Sequence, residues 1–592
     1  LLLALGACEE TVNGNQPDAA RADAAPDVTP DVAEDTAPPE DVAPPPDMPP
    51  AASGIGDACE TDQMFTQGTC RTGQICLTQR LGYRNGYCIQ VCNGAARCPS
   101  DAVCSMIQGF PVCLRRCTSN TDCRADDGYV CAVGTATGQR VCNVNDEPVG
   151  LRPDGSACFS TAGSHPAPAL MRRTFSTANV SVSAARRDTV VNAEGNVAAH
   201  PSNGNVTDSY IGVSQSGSFM GVSFSSTGGM TWNGWGTVAD PLGSASDPVL
   251  DWGSDAVLRM TYIGLQRTAT GQVQRSTIRI TESMDNGANW AMPRQVEPTN
   301  FCQMGGICDK PWLLSAPGTT PGSMAIYLGY LQQTNATANV VVQRSDDAGR
   351  TWSTPTVVGR LVSVGQPTIP NLVQVAAGAP GEVGATWIGL SAGMAAGQDS
   401  AVRFGSSDNR VFYRRTTDGF RTVDSSHTVT SGDHSPVYMQ APVAIDGSSV
   451  HVAFVSGEST GAWDIILATS TDGGSSWQYR TVNDDPEHCA THTLPAMVVD
   501  HTTHDLHLIW LENRFGEGAV AYARCPGNAA MRCGTNEQVS DASFRLTTGR
   551  NPQTWHGDYL GLTLNNAGEL WASWSDTRTG RPQMYVARGR AR

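Results

Sequence analysis

Lysine is almost absent from this 592-residue chain. Lys310 is the only lysine among 39 lysine and arginine residues, and 16% of all residues are charged. The formal charge of −17 argues against a nucleic-acid partner. After the first residues no run reaches the roughly 18 apolar residues that a membrane-spanning helix needs. No helix-length amphipathic pattern dominates, whereas glycine is abundant at 62, so the composition predicts an all-β protein.

The first eight residues combine an apolar run with a small-residue segment that ends at Cys8. This pattern resembles the end of a bacterial lipoprotein signal. Neither a methionine nor a basic segment precedes it, so we expect the printed sequence to begin inside the signal. The resemblance implies acylation of Cys8 and a lipid anchor in a bacterial membrane, at the outer membrane or the cell surface. An ordinary secretory segment with a chance cysteine is the alternative.

Residues 9–53 consist largely of Ala, Pro, Asp and Glu, with nine acidic residues and one arginine between Thr11 and Ser53. Prolines favour an extended backbone and the acidic side chains repel one another. The segment is therefore predicted to be a disordered, solvated and semi-extended linker.

Residues 54–150 are rich in cysteine, since 12 of the 19 cysteines lie between Cys59 and Cys142. They fall into three sets of four that are joined by Cys-x3-Cys steps. Few large aliphatic residues accompany them, so we expect two disulfides within each set to stabilise this module. The pairing within a set is not readable from the spacing. Zinc binding is the alternative, but the paired Cys-x2-Cys steps typical of zinc sites are absent.

The remaining cysteines include two close pairs. Cys302 with Cys308, and Cys525 with Cys533, each bracket a short loop that keeps the two thiols close, so each pair is predicted to form a disulfide. Cys158 and Cys489 are left over and are a further hypothetical pair.

A motif of the form Ser-x-Asp-x-Gly-x-x-Trp occurs three times. Aspartate and serine can accept backbone N–H bonds in a tight turn, glycine supplies positive φ, and tryptophan anchors the returning strand. Two weaker copies follow the same spacing, one with threonine in place of aspartate at Thr227. The aspartates of the other four copies are Asp285, Asp347, Asp418 and Asp472.

These copies resemble the Asp-box (BNR) repeat of the sialidase-like β-propellers, over residues 190–592. The resemblance implies that the boxes stabilise hairpins and perform no chemistry. Seven apolar segments, each followed by a turn and most of them by a second apolar strand, are predicted to open four-stranded blades. They begin at residues 196, 247, 310, 369, 441, 494 and 558. We therefore predict an all-β fold with a six- or seven-bladed β-propeller, seven being favoured, after a lead-in over 151–189.

In the propeller family, ligands bind on the face opposite the Asp boxes. Two stretches of the form Trp-x-acid-x-Arg, at Glu512–Arg514 and Asp576–Arg578, occupy the same place in successive predicted blades. Two guanidiniums facing one funnel would suit a carboxylate or a sulfate, because arginine pairs bidentately with planar anions. Alternatively, each arginine pairs with its own acidic neighbour and braces a loop.

Further polar residues stand where predicted blades begin. A titratable aspartate, tyrosine and histidine beside arginine is a set that a glycosidase could use, although any polar propeller mouth would contain it. The predicted ligand-binding residues are Arg514, Arg578, Lys310, Asp309 and His556. The candidates for catalysis are Asp558, Tyr559, Glu512 and Asp576.

Five histidines between His488 and His507 suggest a metal site. However, His501 and His504 fall in a predicted hairpin turn, and strand alternation directs His507 away from its neighbours. We therefore expect neither a metal nor another cofactor.

Sialidases proper use an arginine triad, the first arginine lying in an Arg-Ile-Pro motif, together with a Tyr–Glu pair and an aspartate. This sequence has only Thr368-Ile-Pro370, without the arginine. We therefore expect a bacterial surface lipoprotein whose propeller binds a glycan or a cell-surface protein. An exo-sialidase-type glycoside hydrolase that acts on acidic sugars is the alternative, and a surface scaffold is a third possibility.

Overall fold

The computed structural model describes residues between 54 and 144 and between 171 and 591. Both parts have interruptions, the longest at 361–367, 392–408 and 547–555. Cys8, the predicted linker, Cys158 and Cys489 lie outside the described residues. Regular structure in the described part is almost entirely β-strand, with one 3-10 helix at Asn120–Asp122. None of the described residues forms a helix that is long and apolar enough to cross a membrane.

The amino-terminal module contains two small antiparallel sheets. The first has the order β1-β2-β4-β3, and the second is the hairpin of β5 and β6. Tyr87 and Tyr129 pack together in its core, with ring centroids 5.2 Å apart. The strands are β1 (Ile75–Leu77), β2 (Tyr87–Val91), β3 (Ala102–Ile107), β4 (Phe110–Arg115), β5 (Tyr129–Val133) and β6 (Arg140–Val144).

The predicted disulfides within each set of four cysteines are confirmed. In every set the first cysteine pairs with the third and the second with the fourth, an order that the spacing alone did not reveal. The bridges are Cys59–Cys76, Cys70–Cys88, Cys92–Cys104, Cys98–Cys113, Cys117–Cys131 and Cys123–Cys142. This crossed pairing constrains a module that has little apolar material for a core.

Between Val180 and Arg590 the described residues form seven four-stranded antiparallel sheets, one after another along the chain. Sheet 1 contains β8 (Thr189–Ala199), β9 (Val206–Ser214), β10 (Gly217–Ser225) and β11 (Asn233–Val238), and sheet 2 contains β12 (Ser244–Trp252), β13 (Leu258–Arg267), β14 (Val273–Ser283) and β15 (Arg294–Gln295). Sheet 3 contains β16 (Ile307–Pro317), β17 (Met324–Gln333), β18 (Ala338–Ser345) and β19 (Thr356–Arg360), and sheet 4 contains β20 (Thr368–Ala377), β21 (Val383–Ser391), β22 (Arg410–Thr416) and β23 (His427–Thr428).

The remaining three sheets follow the same plan. Sheet 5 contains β24 (Val443–Asp446), β25 (Ser449–Gly457), β26 (Trp463–Ser470) and β27 (Gln478–Thr481), and sheet 6 contains β28 (His492–Asp500), β29 (Asp505–Glu512), β30 (Ala519–Pro526) and β31 (Glu537–Gln538). Sheet 7 contains β32 (Gly561–Leu564), β33 (Glu569–Asp576), β34 (Gln583–Arg590) and β7 (Val180–Ser181). Each segment predicted to open a blade overlaps the first strand of one sheet.

The seven sheets close into a ring. The first strands of successive sheets contact one another, from β8 with β12 through to β28 with β32, and β32 in turn contacts β8. The closure is reinforced because β7, which precedes sheet 1 in the sequence, pairs with β34 as the outer strand of sheet 7. Apolar residues are buried on both faces of the middle strands, as in Ala338–Ser345, because each sheet packs between two others.

The turns after the third strands share one hydrogen-bond pattern. In the turn of sheet 2, the Ser283 hydroxyl oxygen accepts a bond from the Gly287 N–H at 2.8 Å, and the Asp285 carboxylate accepts one from the Asn289 N–H at 2.8 Å. The corresponding bonds recur in sheets 3 and 5. They also recur in the weaker copy of sheet 4, where Phe420 takes a φ of 60° that glycine supplies elsewhere.

The turn of sheet 1 keeps this pattern without an aspartate. The hydroxyl of Thr227 accepts the bond from the Thr231 N–H at 2.9 Å, and Ser225 accepts the bond from the Gly229 N–H at 2.9 Å. The backbone geometry of the turn therefore survives in both copies that the sequence marked as weaker.

Both predicted disulfides of the ring are confirmed. Cys302 pairs with Cys308 in the segment that enters β16, and Cys525 at the end of β30 pairs with Cys533. The second bridge closes the turn of sheet 6 that has no Asp box, so a covalent bond stands where the other turns use hydrogen bonds.

We predict that the Asp-box turns stabilise the ring in a pH-dependent way. The hydrogen bonds from Ser476 have the largest effect on Asp472 and, together with the bond from Ser470, lower its pKa to about 2. An aspartate in an unfolded chain has a pKa of about 3.9. The stabilisation is therefore present above about pH 4 and is lost as the pH falls towards 2. In urea unfolding, Asp472→Asn should be less stable than the unsubstituted chain at pH 7, and this difference should shrink between pH 4 and pH 2.

The matched control is Asp433→Asn, at an exposed turn outside the Asp boxes. A difference for Asp472→Asn that stays constant from pH 7 to pH 2 would contradict the assignment of the stabilisation to the carboxylate.

Candidate functional site

Bulges recur at one position of the first strands. In the described residues, five first strands shift register near their amino-terminal ends and place a non-glycine residue at left-handed φ. These residues are Glu194 (φ 55°), Asp247 (56°), Lys310 (51°), Leu372 (53°) and Leu494 (53°). A left-handed conformation is unfavourable for such residues, and bulges of this kind redirect side chains out of the regular alternation.

Three of these bulges meet at the centre of the ring. The Lys310 ammonium in sheet 3 lies 3.3 Å from Glu194 Oε1 in sheet 1, 2.9 Å from Asp247 Oδ2 in sheet 2, and 2.6 Å from Asp558 Oδ2 just before sheet 7. Because sheets 1 and 7 are not neighbours of sheet 3, these contacts cross the ring. The ammonium has three N–H donors, one for each carboxylate. We call Glu194, Asp247, Lys310 and Asp558 the axial cluster.

The axial cluster lies towards the face opposite the Asp-box turns. Those turns follow the third strands, and neighbouring strands are antiparallel, so each first strand begins on the opposite face. The cluster residues stand near those beginnings. Glu194, Asp247 and Lys310 are buried, whereas the Asp558 side chain is 14% exposed and is the member nearest to solvent.

The electrostatics of the axial cluster follow from burial and from its excess of carboxylates. Burial raises the pKa of Glu194 well above its usual range, and the charge of Asp247 adds to the rise. Burial works to lower the pKa of Lys310, but the charges of Asp247, Asp558 and Glu194 raise it well above its usual range. The cluster therefore favours an ammonium on Lys310, whereas burial opposes the ionisation of Glu194.

Three residues predicted for binding or catalysis are buried and already bonded. The Asp309 carboxylate accepts a hydrogen bond from the backbone N–H of Lys310 at 2.9 Å. The ring nitrogens of His556 lie 2.8 Å and 3.1 Å from the carbonyl oxygens of Ser575 and Arg545. The Tyr559 hydroxyl donates to a backbone carbonyl, and burial raises its pKa well above the usual range. These contacts fit structural roles better than the predicted functional ones.

Arg514 is held by the protein itself. Its Nε lies 2.7 Å from Glu512 Oε1, its Nη1 lies 2.6 Å from Asp484 Oδ1, and its Nη2 donates to Asn536 Oδ1 at 2.7 Å. Trp510 donates its indole N–H to the other oxygen of Glu512 at 2.8 Å. The Arg514 side chain is 6% exposed and that of Glu512 is 1% exposed, so both charges are compensated out of water.

Arg578 repeats this arrangement one sheet further on. Its Nη2 lies 2.7 Å from Asp576 Oδ2, its Nη1 pairs with Asp541, and its Nη2 also donates to Asn179 Oδ1 at 3.3 Å. Trp574 donates its indole N–H to Asp576 at 3.0 Å. Each set of five residues (tryptophan, inner acid, arginine, outer aspartate and asparagine) forms what we call an inter-sheet clamp. The name reflects that the outer aspartate, Asp484 or Asp541, follows the last strand of the preceding sheet.

The clamps engage both arginines that were predicted to share an anion. Each guanidinium is bound by two carboxylates and an amide oxygen, and the two arginines contact different partners. Glu512 and Asp576, which were catalytic candidates, are the buried inner carboxylates of the clamps. These contacts are the ones expected from the alternative interpretation, in which each arginine pairs with its acidic neighbour and braces a loop.

Sequence reasoning missed half of the axial cluster and the outer clamp residues. Glu194 and Asp247 come from strands that look like ordinary blade openings. Asp484 pairs with Asn536, and Asp541 pairs with Asn179, across distant parts of the chain. In each pair, the backbone N–H of either residue donates to a side-chain oxygen of the other. A recurring acid near the start of several first strands was a usable signal for the axial cluster, but the clamp partners had none.

The histidines separate into different environments. His501 and His504 lie in the turn between β28 and β29, as predicted, and contact the two oxygens of Asp446. The buried His507 lies 2.7 Å from the Tyr522 hydroxyl. His492 is buried beside three carboxylates, a grouping that the sequence did not indicate.

No family model matches this chain, and no curated protein matches it. Among solved structures it is similar to the Hadza microbial sialidase Hz136, at 16% identity over 56% of this chain and 66% of the sialidase, with a TM-score of 0.38. It is also similar to an α-L-arabinofuranosidase from Fusarium graminearum, at 15% identity over 70% and 98% of the two chains, with a TM-score of 0.40. A third is an ulvan lyase, at 12% identity over 68% and 95%, with a TM-score of 0.41. The activity named for each of these three proteins belongs to that protein.

We predict that the clamp of Arg514 is needed for stability. Arg514→Ala should lower the free energy of unfolding by about 3–5 kcal/mol, because it leaves the Glu512 carboxylate buried and unpaired. Urea unfolding followed by tryptophan fluorescence measures the change. As a control, Arg421→Ala removes an exposed ion pair with Asp346 and should cost at most about 1 kcal/mol. Equal effects of the two substitutions would contradict the clamp.

Proposed function

We propose that the ring of sheets is a seven-bladed β-propeller that binds a neutral glycan on the face opposite the Asp-box turns. The closed succession of four-stranded sheets and the seven first strands around one axis support the blade count. On this face lie the axial cluster and the loops that follow the second strands. Propellers of this kind use such loops for recognition because the underlying sheets hold them in place.

The charge balance of this face supports a neutral ligand. Arg514, Arg578 and Lys310, the three cations predicted to bind a ligand, are each paired with two or more carboxylates. An acidic sugar would have to compete with carboxylates that each of these cations already contacts. This observation favours a ligand without a carboxylate or sulfate.

The accessible part of the axial cluster supports a hydroxyl-rich ligand. Asp558 is its most exposed carboxylate, and a carboxylate accepts hydrogen bonds from sugar hydroxyl groups. The cluster holds more negative than positive charge, which repels anions and leaves acceptors for neutral donors. A glycan therefore fits this face better than an anionic ligand does.

We also propose an extracytoplasmic location with a lipid anchor at Cys8. Eight disulfides among the described residues support an oxidising compartment. The anchor itself is supported by the sequence pattern alone.

A glycan array tests the proposed binding. The full chain, carrying Cys8→Ser to keep it unlipidated, should bind neutral glycans and should not prefer sialylated or sulfated ones. Asp558→Asn should weaken that binding at least tenfold, whereas Asp472→Asn, on the opposite face, should leave it unchanged. Binding confined to acidic glycans would contradict the proposal, and melting curves of each variant distinguish lost binding from lost folding.

A glycoside hydrolase is the second candidate function. Glu194, whose pKa burial raises, and the more exposed Asp558 share one ammonium, and Glu194 Oε1 accepts the backbone N–H of Asp558 at 3.2 Å. Two neighbouring carboxyl groups are what acid and base catalysis of glycoside cleavage requires. Asp558 is the candidate that would contact substrate.

A panel of chromogenic aryl glycosides, including an α-L-arabinofuranoside and a sialoside, tests this candidate. A hydrolase of this type should lose at least 100-fold in kcat/KM in Asp558→Asn and remain active in Asp472→Asn. If the unsubstituted chain releases no product, binding without hydrolysis remains, and equal kcat/KM in the two variants would contradict the role of Asp558.

A further inference from the structure

One buried histidine nitrogen faces a group of carboxylates. His492 begins β28 and its side chain is fully buried. Its Nδ1 lies 2.7 Å from the backbone carbonyl oxygen of Trp463, which can only accept, so Nδ1 carries a hydrogen. Nε2 is then the ring nitrogen that can bind a metal, which would displace any proton shared with the neighbouring carboxylates. A backbone carbonyl oxygen that accepts the hydrogen of the other ring nitrogen is a common contact of metal-ligating histidines.

Nε2 of His492 faces a group of carboxylates between sheets 5 and 6. Nε2 lies 3.2 Å from Asp485 Oδ1 and 3.4 Å from Glu512 Oε2. One oxygen of Asp464, one oxygen of Asp485 and one nitrogen of His492 all lie within 4.8 Å of one another. Asp464 lies in β26 and Asp485 follows β27, both in sheet 5, whereas His492 begins β28 of sheet 6, so the group draws on both sheets.

The two aspartates are oriented by a second layer of contacts. The Asn483 amide nitrogen lies 2.7 Å from Asp464 Oδ1 and 2.7 Å from Asp485 Oδ1. The amide oxygen of Asn483 accepts the backbone N–H of Ile465 at 2.9 Å, which fixes the amide in place. Supporting hydrogen bonds of this kind hold ligating carboxylates ready for a metal.

The three neighbouring carboxylates differ in their contacts. Glu512 is bound by Arg514 and by the indole N–H of Trp510. Asp464 and Asp485 supply two further carboxylates that a divalent cation can bind. The combination of an imidazole nitrogen with carboxylate oxygens suits Zn²⁺, whereas Ca²⁺ is bound by oxygen ligands alone.

We propose that Asp464, Asp485 and His492 form a Zn²⁺ site between sheets 5 and 6, with Asn483 and the Trp463 carbonyl as supporting contacts. The site joins the third strand and exit loop of sheet 5 to the first strand of sheet 6. Its role is to bind these neighbouring sheets together on the face that carries the clamp of Arg514. This proposal is independent of glycan binding and of hydrolysis.

The test titrates ZnCl₂ into the EDTA-treated full chain by calorimetry, with metal content measured after dialysis. The background is His501→Ala/His504→Ala, which removes the exposed histidines beside Asp446 as a surface zinc site. This background chain should bind one Zn²⁺ and melt at a higher temperature with the metal than without it. Co²⁺ in its place should give the visible absorption of a nitrogen- and oxygen-bound ion.

In that background, Asp485→Asn and Asp464→Asn should each weaken Zn²⁺ binding at least tenfold and remove the shift in melting temperature. Both keep the size of the side chain, so they serve if His492→Gln fails to fold. Asp433→Asn, at an exposed turn, is the matched control and should leave Zn²⁺ binding unchanged. The proposal is overturned if the background chain binds no Zn²⁺, or if the two site variants bind it as tightly as the control does.

Discussion

The contact between Lys310 and three carboxylates is the constraint around which the ring is arranged. A single ammonium joins sheets 1, 2 and 3 and the entry to sheet 7, at the point where the first strands converge. Buried charges are tolerated only when they are paired and hydrogen-bonded, so the geometry of the four sheets must bring all three carboxylates to one nitrogen. The only lysine of the chain thus fixes the relative positions of segments more than 300 residues apart.

The same principle of internal compensation governs the rest of this face. Both clamps hold an arginine between two carboxylates, and they repeat position for position although one of them closes on Asn179 near the start of the ring. Charges arranged in this way stabilise the packing between sheets and are unavailable to an anionic ligand. Because these arginines are already paired with internal carboxylates, the functional proposal rests on Asp558 and not on the arginines.

Stabilisation on the two faces differs in kind. On the Asp-box face, each turn is held by local hydrogen bonds between residues two to four apart, and one turn uses a disulfide instead. On the opposite face, the axial cluster, the clamps and the group around His492 join residues from different sheets. The first kind depends on a short stretch of sequence, whereas the second exists only when separate sheets have packed together.

The sequence by itself determined the repeating strands, the Asp-box turns and the cysteine pairs that close short loops, because each depends on residues a few positions apart. It also marked Lys310, Asp558 and the Trp-x-acid-x-Arg pattern as unusual. Only the tertiary structure decided their roles. Arg514 has its partners at Asp484 and Asn536, Lys310 has one at Glu194, and His492 meets Asp464 across a sheet boundary. Such contacts join strands of different sheets, so the spacing of residues along the sequence does not predict them. Burial then decides whether a charged side chain stabilises the fold or remains accessible to a ligand.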